Sequence, residues 1–153
     1  MTYLLIKWLH ILSATIVFGT GVGSAFYMFA ANRRKDVKTI AEVVSLVVIA
    51  DFIFTMPAFI IQIITGVGLA HLTATPLWQG WLFYALLLIA FAGACWLPVV
   101  WMQIKMRDVA KEAVALNSEL PASYWRMEFW WVVLGCLAFP AFVMVFYLMV
   151  VRP

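Results

Sequence analysis

The chain has 153 residues, of which 67% are hydrophobic and 11% charged, and its formal net charge is +3. That composition excludes a soluble enzyme domain and a disordered tail. Four apolar stretches are each long enough to cross a hydrocarbon layer of about 30 Å, which takes about 20 helical residues. The predicted fold is all-α: an integral membrane four-helix bundle forming one transmembrane domain over residues 1–153, with no remaining segment able to bury a soluble core of its own.

The first predicted helix covers residues 4–30. It lacks a basic start and a detached small-x-small site, so it is read as a retained helix and not as a signal peptide. Tyr3, Lys7, His10, Ala14, Val17, Gly21 and Ser24 share one of its faces by three- and four-residue spacing. That face is polar toward the N-terminus and small toward the other end. Gly19 and Gly23 form a Gly-x-x-x-Gly pair, which permits close approach by another helix or by a flat macrocycle.

The second predicted helix, residues 43–72, carries Asp51, Pro57, Gln62, Thr65, Gly66, Gly68 and His71. Pro57 lacks a backbone donor and is expected to kink the helix near mid-membrane. An unpaired carboxylate in the span is costly, so Asp51 is expected to pair with Arg126 or Lys105, a structural ion pair being preferred to a proton relay.

The third helix, residues 81–116, is expected to be interrupted near its centre by Trp96-Leu97-Pro98 and to continue beyond the membrane. Pro121 marks the turn into the fourth, residues 124–150, where Arg126 and Trp130 are spaced for a cation-π contact. Cys95 and Cys136 lack any Cys-x-x-Cys spacing and read as small apolar residues. No phosphate loop, zinc spacing or Ser/His/Asp signature is present, which leaves hydrolase and nucleotide chemistry unsupported.

Short loops rich in Lys and Arg stay cytoplasmic. Arg33, Arg34, Lys35 and Lys38 follow the first span, and Lys105, Arg107, Lys111 and Arg126 lie between the third and fourth, whereas residues 73–80 carry no charge. Both termini are therefore expected on the extracytoplasmic side of a bacterial inner membrane. The positive charge is accounted for by topology and anionic lipid, with no nucleic acid involved. Tyr3, Trp8, Trp78 and Trp81 fall near the outer boundary, and Tyr124, Trp125, Trp130 and Trp131 near the inner one, as in aromatic belts.

His10, a titratable group within an apolar span, is the leading functional candidate. A b-type haem between two helices needs axial imidazoles converging on one iron and basic groups near its propionates. His10 and His71 are the candidate ligands, Lys7 the candidate propionate partner, and Gly21 and Gly68 the positions that leave room for the macrocycle. The competing readings are that His10 hydrogen-bonds a neighbouring helix, and that His71 is an ordinary boundary residue.

Lys7-Trp8-Leu9-His10-Ile11, followed by a glycine-containing apolar stretch, resembles the first helix of the HemJ-type protoporphyrinogen oxidases and of the CopD copper-resistance membrane proteins. Over the whole chain the sequence resembles the bacterial family called domain of unknown function 2269. That resemblance runs through Thr65-Gly66-Val67-Gly68-Leu69-Ala70, through Trp96-Leu97-Pro98-Val99-Val100 with Gln103, Met106 and Ala110, and through Tyr147-Leu148-Met149-Val150-Val151-Arg152-Pro153. The HemJ resemblance implies haem held by His10. That family's lysine after a tryptophan early in the third helix has no counterpart in Gly80-Trp81-Leu82-Phe83-Tyr84-Ala85-Leu86, which speaks against porphyrin oxidation. The CopD resemblance implies copper, for which two histidines without a methionine-rich loop make a thin site.

The expected function is accordingly haem b binding, with electron transfer to or from a quinone or a periplasmic redox partner protein. The alternatives are a cofactor-free scaffold or accessory subunit in the lipid bilayer, a homo-oligomer packed through the glycine face, and a HemJ-like or CopD-like activity. The orientation is directly testable. Alkaline phosphatase fused after Arg152 is expected to be active and a fusion placed within residues 33–38 inactive; the reverse pattern would invert the topology.

Overall fold

A computed structural model describes residues 1–152, so Pro153, the last residue of the closing motif, lies outside the described residues. The helices are α1 (Thr2–Arg34), α2 (Val37–Ala50), a single π-helical turn (Asp51–Thr55), α3 (Met56–Leu72), α4 (Gly80–Ala115) and α5 (Ala122–Val151). α2, the π turn and α3 run on as one rod, Val37–Leu72, so four helical rods are long and apolar enough to span a membrane. No strand occurs among the described residues. The expected all-α, four-span architecture is what the chain adopts.

Local chemistry sets the corners. Lys35 takes a left-handed conformation (φ 57°) and ends α1, and the Asp36 carboxylate then caps α2 by accepting from the Thr39 amide at 2.9 Å. With two residues between them, α1 and α2 must be antiparallel neighbours. The helices then follow one another around the bundle: α1 packs on α2 and α3, α2 on α4, and α4 on α5.

The two ends of the bundle differ. At the basic end, which carries Arg33, Arg34, Lys35 and Lys38, the best-packed core joins Met28 of α1, Ile40 and Val44 of α2, Met106 of α4 and Tyr124 of α5, all fully buried. The Tyr124 hydroxyl donates to Asn32 Oδ1 at 2.8 Å and ties α5 to α1, while Asn32 Nδ2 has no partner among the described residues. At the terminal end Arg152 lies over the Trp81 ring, 5.6 Å from its centroid, which fixes the close of α5 to the start of α4. Between these ends large side chains such as Leu46, Phe52, Ile64, Leu97 and Phe146 are exposed. Water would not tolerate such a surface, and lipid requires it.

Several expectations are corrected. α4 is not interrupted at Trp96-Leu97-Pro98 but continues unbroken through Pro98, whose ring faces outward. In the second span the perturbation is a π turn just before Pro57, where the Met56 amide reaches back to the Asp51 carbonyl. A wider turn accommodates the missing donor and the ring without breaking the rod. Arg126 does not stack on Trp130 among the described cation-π contacts; Arg33 instead covers Phe29 at 4.9 Å.

The packing contrast predicts unequal sensitivity. Met106→Ala is expected to destabilise the protein by about 2–5 kcal/mol, whereas Leu97→Ala, at an exposed position, changes stability by less than about 0.5 kcal/mol. Thermal denaturation in micelles or steric trapping in bicelles measures both, and equal effects would contradict the assignment of the core to the basic end.

Candidate functional site

Two polar clusters stand out among the described residues, a half-buried one and a buried one, in opposite halves of the bundle. The first is centred on His10. Its Nδ1 is 2.9 Å from Thr65 Oγ1, and its Nε2 is 3.0 Å from Gln62 Nε2. Thr65 already donates its hydroxyl hydrogen to the Ile61 carbonyl at 2.6 Å, and Gln62 Oε1 accepts from Ser13. These partners dictate the roles on the ring: Nδ1 donates to Thr65, and Nε2 accepts from the Gln62 amide. Gly66 lies beneath, where an added Cβ would stand 3.1 Å from His10 Cε1. Glycine is what lets the imidazole lie so close to α3. Both ring nitrogens are satisfied, and the residue fastens α1 to α3.

The other residues singled out from the sequence do not gather around it. His71 is exposed near the end of α3, about 8 Å further along the axis than Gly66, and makes no side-chain hydrogen bond among the described residues. Lys7 is exposed, with its amine 5.9 Å from the Tyr3 ring centroid. Gly68 faces Ile6 of α1. The two histidines, placed on the same half of the bundle by sequence, do not converge on a common centre.

The second cluster is centred on Asp51, in the half nearer the basic end. Asp51 is buried, at 4% exposure, and the expected pairing with Arg126 or Lys105 is not formed, since both cations lie on exposed faces. Its partners are neutral. Thr55, one turn on, donates to Oδ1 at 2.8 Å. With the Gln103 amide oriented to suit its neighbours, its nitrogen donates to Oδ2 at 2.8 Å and its oxygen accepts from the Trp131 indole at 3.2 Å. The π turn, α4 and α5 are thereby joined through one carboxyl group.

This cluster forms the floor of a cavity of about 670 Å³. Val17, Gly21 and Ser24 of α1 line one wall, Phe59, Gly93 and Trp96 another, and Gly135, Cys136 and Ala138 of α5 a third. Gly21, singled out from the sequence as leaving room, lines this cavity. A Cβ at Gly21 or Gly135, both lining the cavity, would meet nothing within 4 Å, so the small faces of α1 and α5 leave a gap there instead of closing on each other. The gap is bounded by two ties. Phe18 stacks on Phe139 at 5.6 Å and meets Phe146 edge-on at 5.4 Å, and the Asn32–Tyr124 hydrogen bond closes the far end. Asn32 lies fourteen positions beyond Phe18 along α1, a seam about 21 Å long. Val22, Phe26, Phe139 and Cys136, all exposed, edge the opening, which faces the lipid.

Sequence reasoning flagged Asp51 for its cost but missed its role as the floor of a cavity. The signal was present in Asp51 and Thr55 at four-residue spacing, and in Gln103 and Trp131, two and five residues inward from a basic residue, Lys105 and Arg126 respectively. Nothing in the linear pattern says that two small-residue faces will stand apart.

In comparison with known proteins, the family described as Predicted integral membrane protein (DUF2269) matches residues 4–153. No curated protein and no solved structure matches the chain.

The His10 cluster predicts a specific coupling. A double-mutant cycle of His10→Ala with Gln62→Ala, followed by denaturation in micelles, is expected to return an interaction energy of about 0.6–1.7 kcal/mol, the range of side-chain hydrogen bonds between membrane helices. Strict additivity would contradict the bond.

Proposed function

This chain belongs to the DUF2269 family of predicted integral membrane proteins, and on that footing we propose that it binds one lipophilic small molecule, taken from the bilayer through the seam between α1 and α5. The observation that carries this reading is the cavity itself. Binding sites for small molecules run from about 300 to 1,000 Å³, with mostly apolar walls and a few placed polar groups. A volume of about 670 Å³ with Asp51, Thr55 and Gln103 gathered on one side has that composition. The polar groups would orient the head of the molecule and the aromatic walls would hold its body.

The haem expected from the sequence is a poor fit to these residues. Iron needs the lone pair of an imidazole nitrogen, and the one on His10 Nε2 accepts from Gln62. The ring lies against Gly66, neither histidine lines the cavity, and His71 makes no approach to His10 as a second ligand. Haem ligation through Nε2, and electron transfer through it, would require His10 to give up its Gln62 partner on α3. A quinone remains within the class of lipophilic ligands, though its carbonyl oxygens would face a carboxyl group that is itself an acceptor.

Native mass spectrometry of protein extracted gently from haem-replete cells tests the proposal. A single lipophilic adduct is expected on the wild type, with no Soret absorption. The double variant Gly21→Leu/Gly135→Leu fills the gap at two positions where side chains meet no obstacle, and it is expected to fold normally and lose at least about 90% of the adduct, a tenfold change in occupancy. An adduct unchanged in the filled variant would refute binding in the cavity. A Soret band abolished by His10→Ala would restore the haem.

A further inference from the structure

We propose that the molecule this cavity takes is an amphipathic organic cation, with the Asp51 carboxylate as its counter-ion and the neighbouring aromatic rings as its walls. The inference rests on the cavity reading above and goes further by assigning the charge of the ligand.

The starting point is an imbalance. Asp51 is an acidic residue 4% exposed inside a membrane span, and among the described residues no lysine, arginine or histidine pairs with it. The ion pair found among the described residues joins Arg107 to Asp108 at 2.8 Å, on the surface of the basic end. Intramembrane ionisable groups are paired or face a substrate path, because an isolated charge in hydrocarbon is costly. Here the protein supplies no positive partner and leaves the carboxyl group facing a cavity.

The hydrogen bonds sharpen the point. A carboxylate offers about four acceptor sites, and the structure fills two, one on each oxygen, from Thr55 and Gln103. The Trp131 indole, the other nearby donor, is spent on the Gln103 oxygen. The cluster therefore holds spare acceptor capacity. Its complement is a positively charged or strongly donating head; an anion would be repelled, and a carbonyl would meet an acceptor.

The walls suit a cation for an independent reason. Phe59 and Trp96 stand together with ring centroids 5.7 Å apart, and both line the cavity with Phe18 and Trp131. Aromatic faces attract organic cations through their quadrupoles, most strongly where water is excluded. The same rings accept the apolar body of the molecule. Access needs no moving gate, since the seam opens sideways toward lipid, where an amphipathic cation concentrates.

The test uses tritiated tetraphenylphosphonium with the full chain immobilised in micelles, and tetraphenylborate, of the same shape and opposite charge, as competitor. Wild-type protein is expected to bind the cation specifically, with tetraphenylborate competing at least about tenfold less well than unlabelled tetraphenylphosphonium. Asp51→Asn, which keeps an acceptor for Thr55 and a polar group for Gln103, is expected to lose at least about tenfold in affinity, and Asp51→Glu to retain most of it. The denaturation midpoint of each variant shows that it is folded. Equal competition by the two ions, or full binding by a folded Asp51→Asn, overturns the assignment of charge. A wild type that carries its native adduct yet ignores the cation overturns this inference and leaves the cavity reading intact. If adduct and cation are both absent, both fall.

Discussion

The seam between α1 and α5 is the constraint on which the rest of this structure depends. α1 packs on α2 and α3, α2 on α4 and α4 on α5, but α1 and α5 meet through Phe18 and the phenyl rings of Phe139 and Phe146 at one place and through Asn32 and Tyr124 about 21 Å away. Between those ties both helices present small residues, Gly21 and Ser24 on one side and Gly135 and Ala138 on the other. Small faces bring membrane helices together when backbones are free to approach. Here the aromatic tie and the well-packed basic end hold the backbones apart, and the same residues leave a void.

The two polar clusters show how similar residue types serve different ends. Around His10 both ring nitrogens are matched within the cluster, and a glycine admits the ring, so the arrangement fastens two helices. Around Asp51 the donors run out before the acceptors do, and the residue lines the cavity. A saturated cluster stabilises a fold. An unsaturated one at the floor of a cavity has capacity left for something that is not part of the chain.

Much of the architecture was legible in the sequence. Apolar length gave the four spans, the face running from His10 through Val17 and Gly21 to Ser24 does point inward, and the long continuation of α4 past Lys105 is present. The site was harder to read because a histidine's isolation in an apolar run does not disclose its neighbours: Gln62, Thr65 and Gly66 are more than fifty residues away and become its partners only when α1 and α3 pack. Asp51 was assigned a cation because its cost demands compensation, but depth alone cannot tell that Arg126 and Lys105 project outward. Pro57 announced a distortion without specifying its form, and the π turn that absorbs it is what sets Asp51 and Thr55 on the cavity side.

The state of the seam is the quantity to measure. Cysteines placed at Gly21 and Gly135, with Cys95 and Cys136 replaced by alanine, can be cross-linked in native membranes by a direct oxidant or by a long-spacer bis-maleimide. A disulfide requires Cα atoms within about 7 Å. An open seam predicts efficient capture by the long reagent and little direct disulfide, whereas rapid disulfide formation would show that α1 and α5 close on each other and that no cavity exists between them.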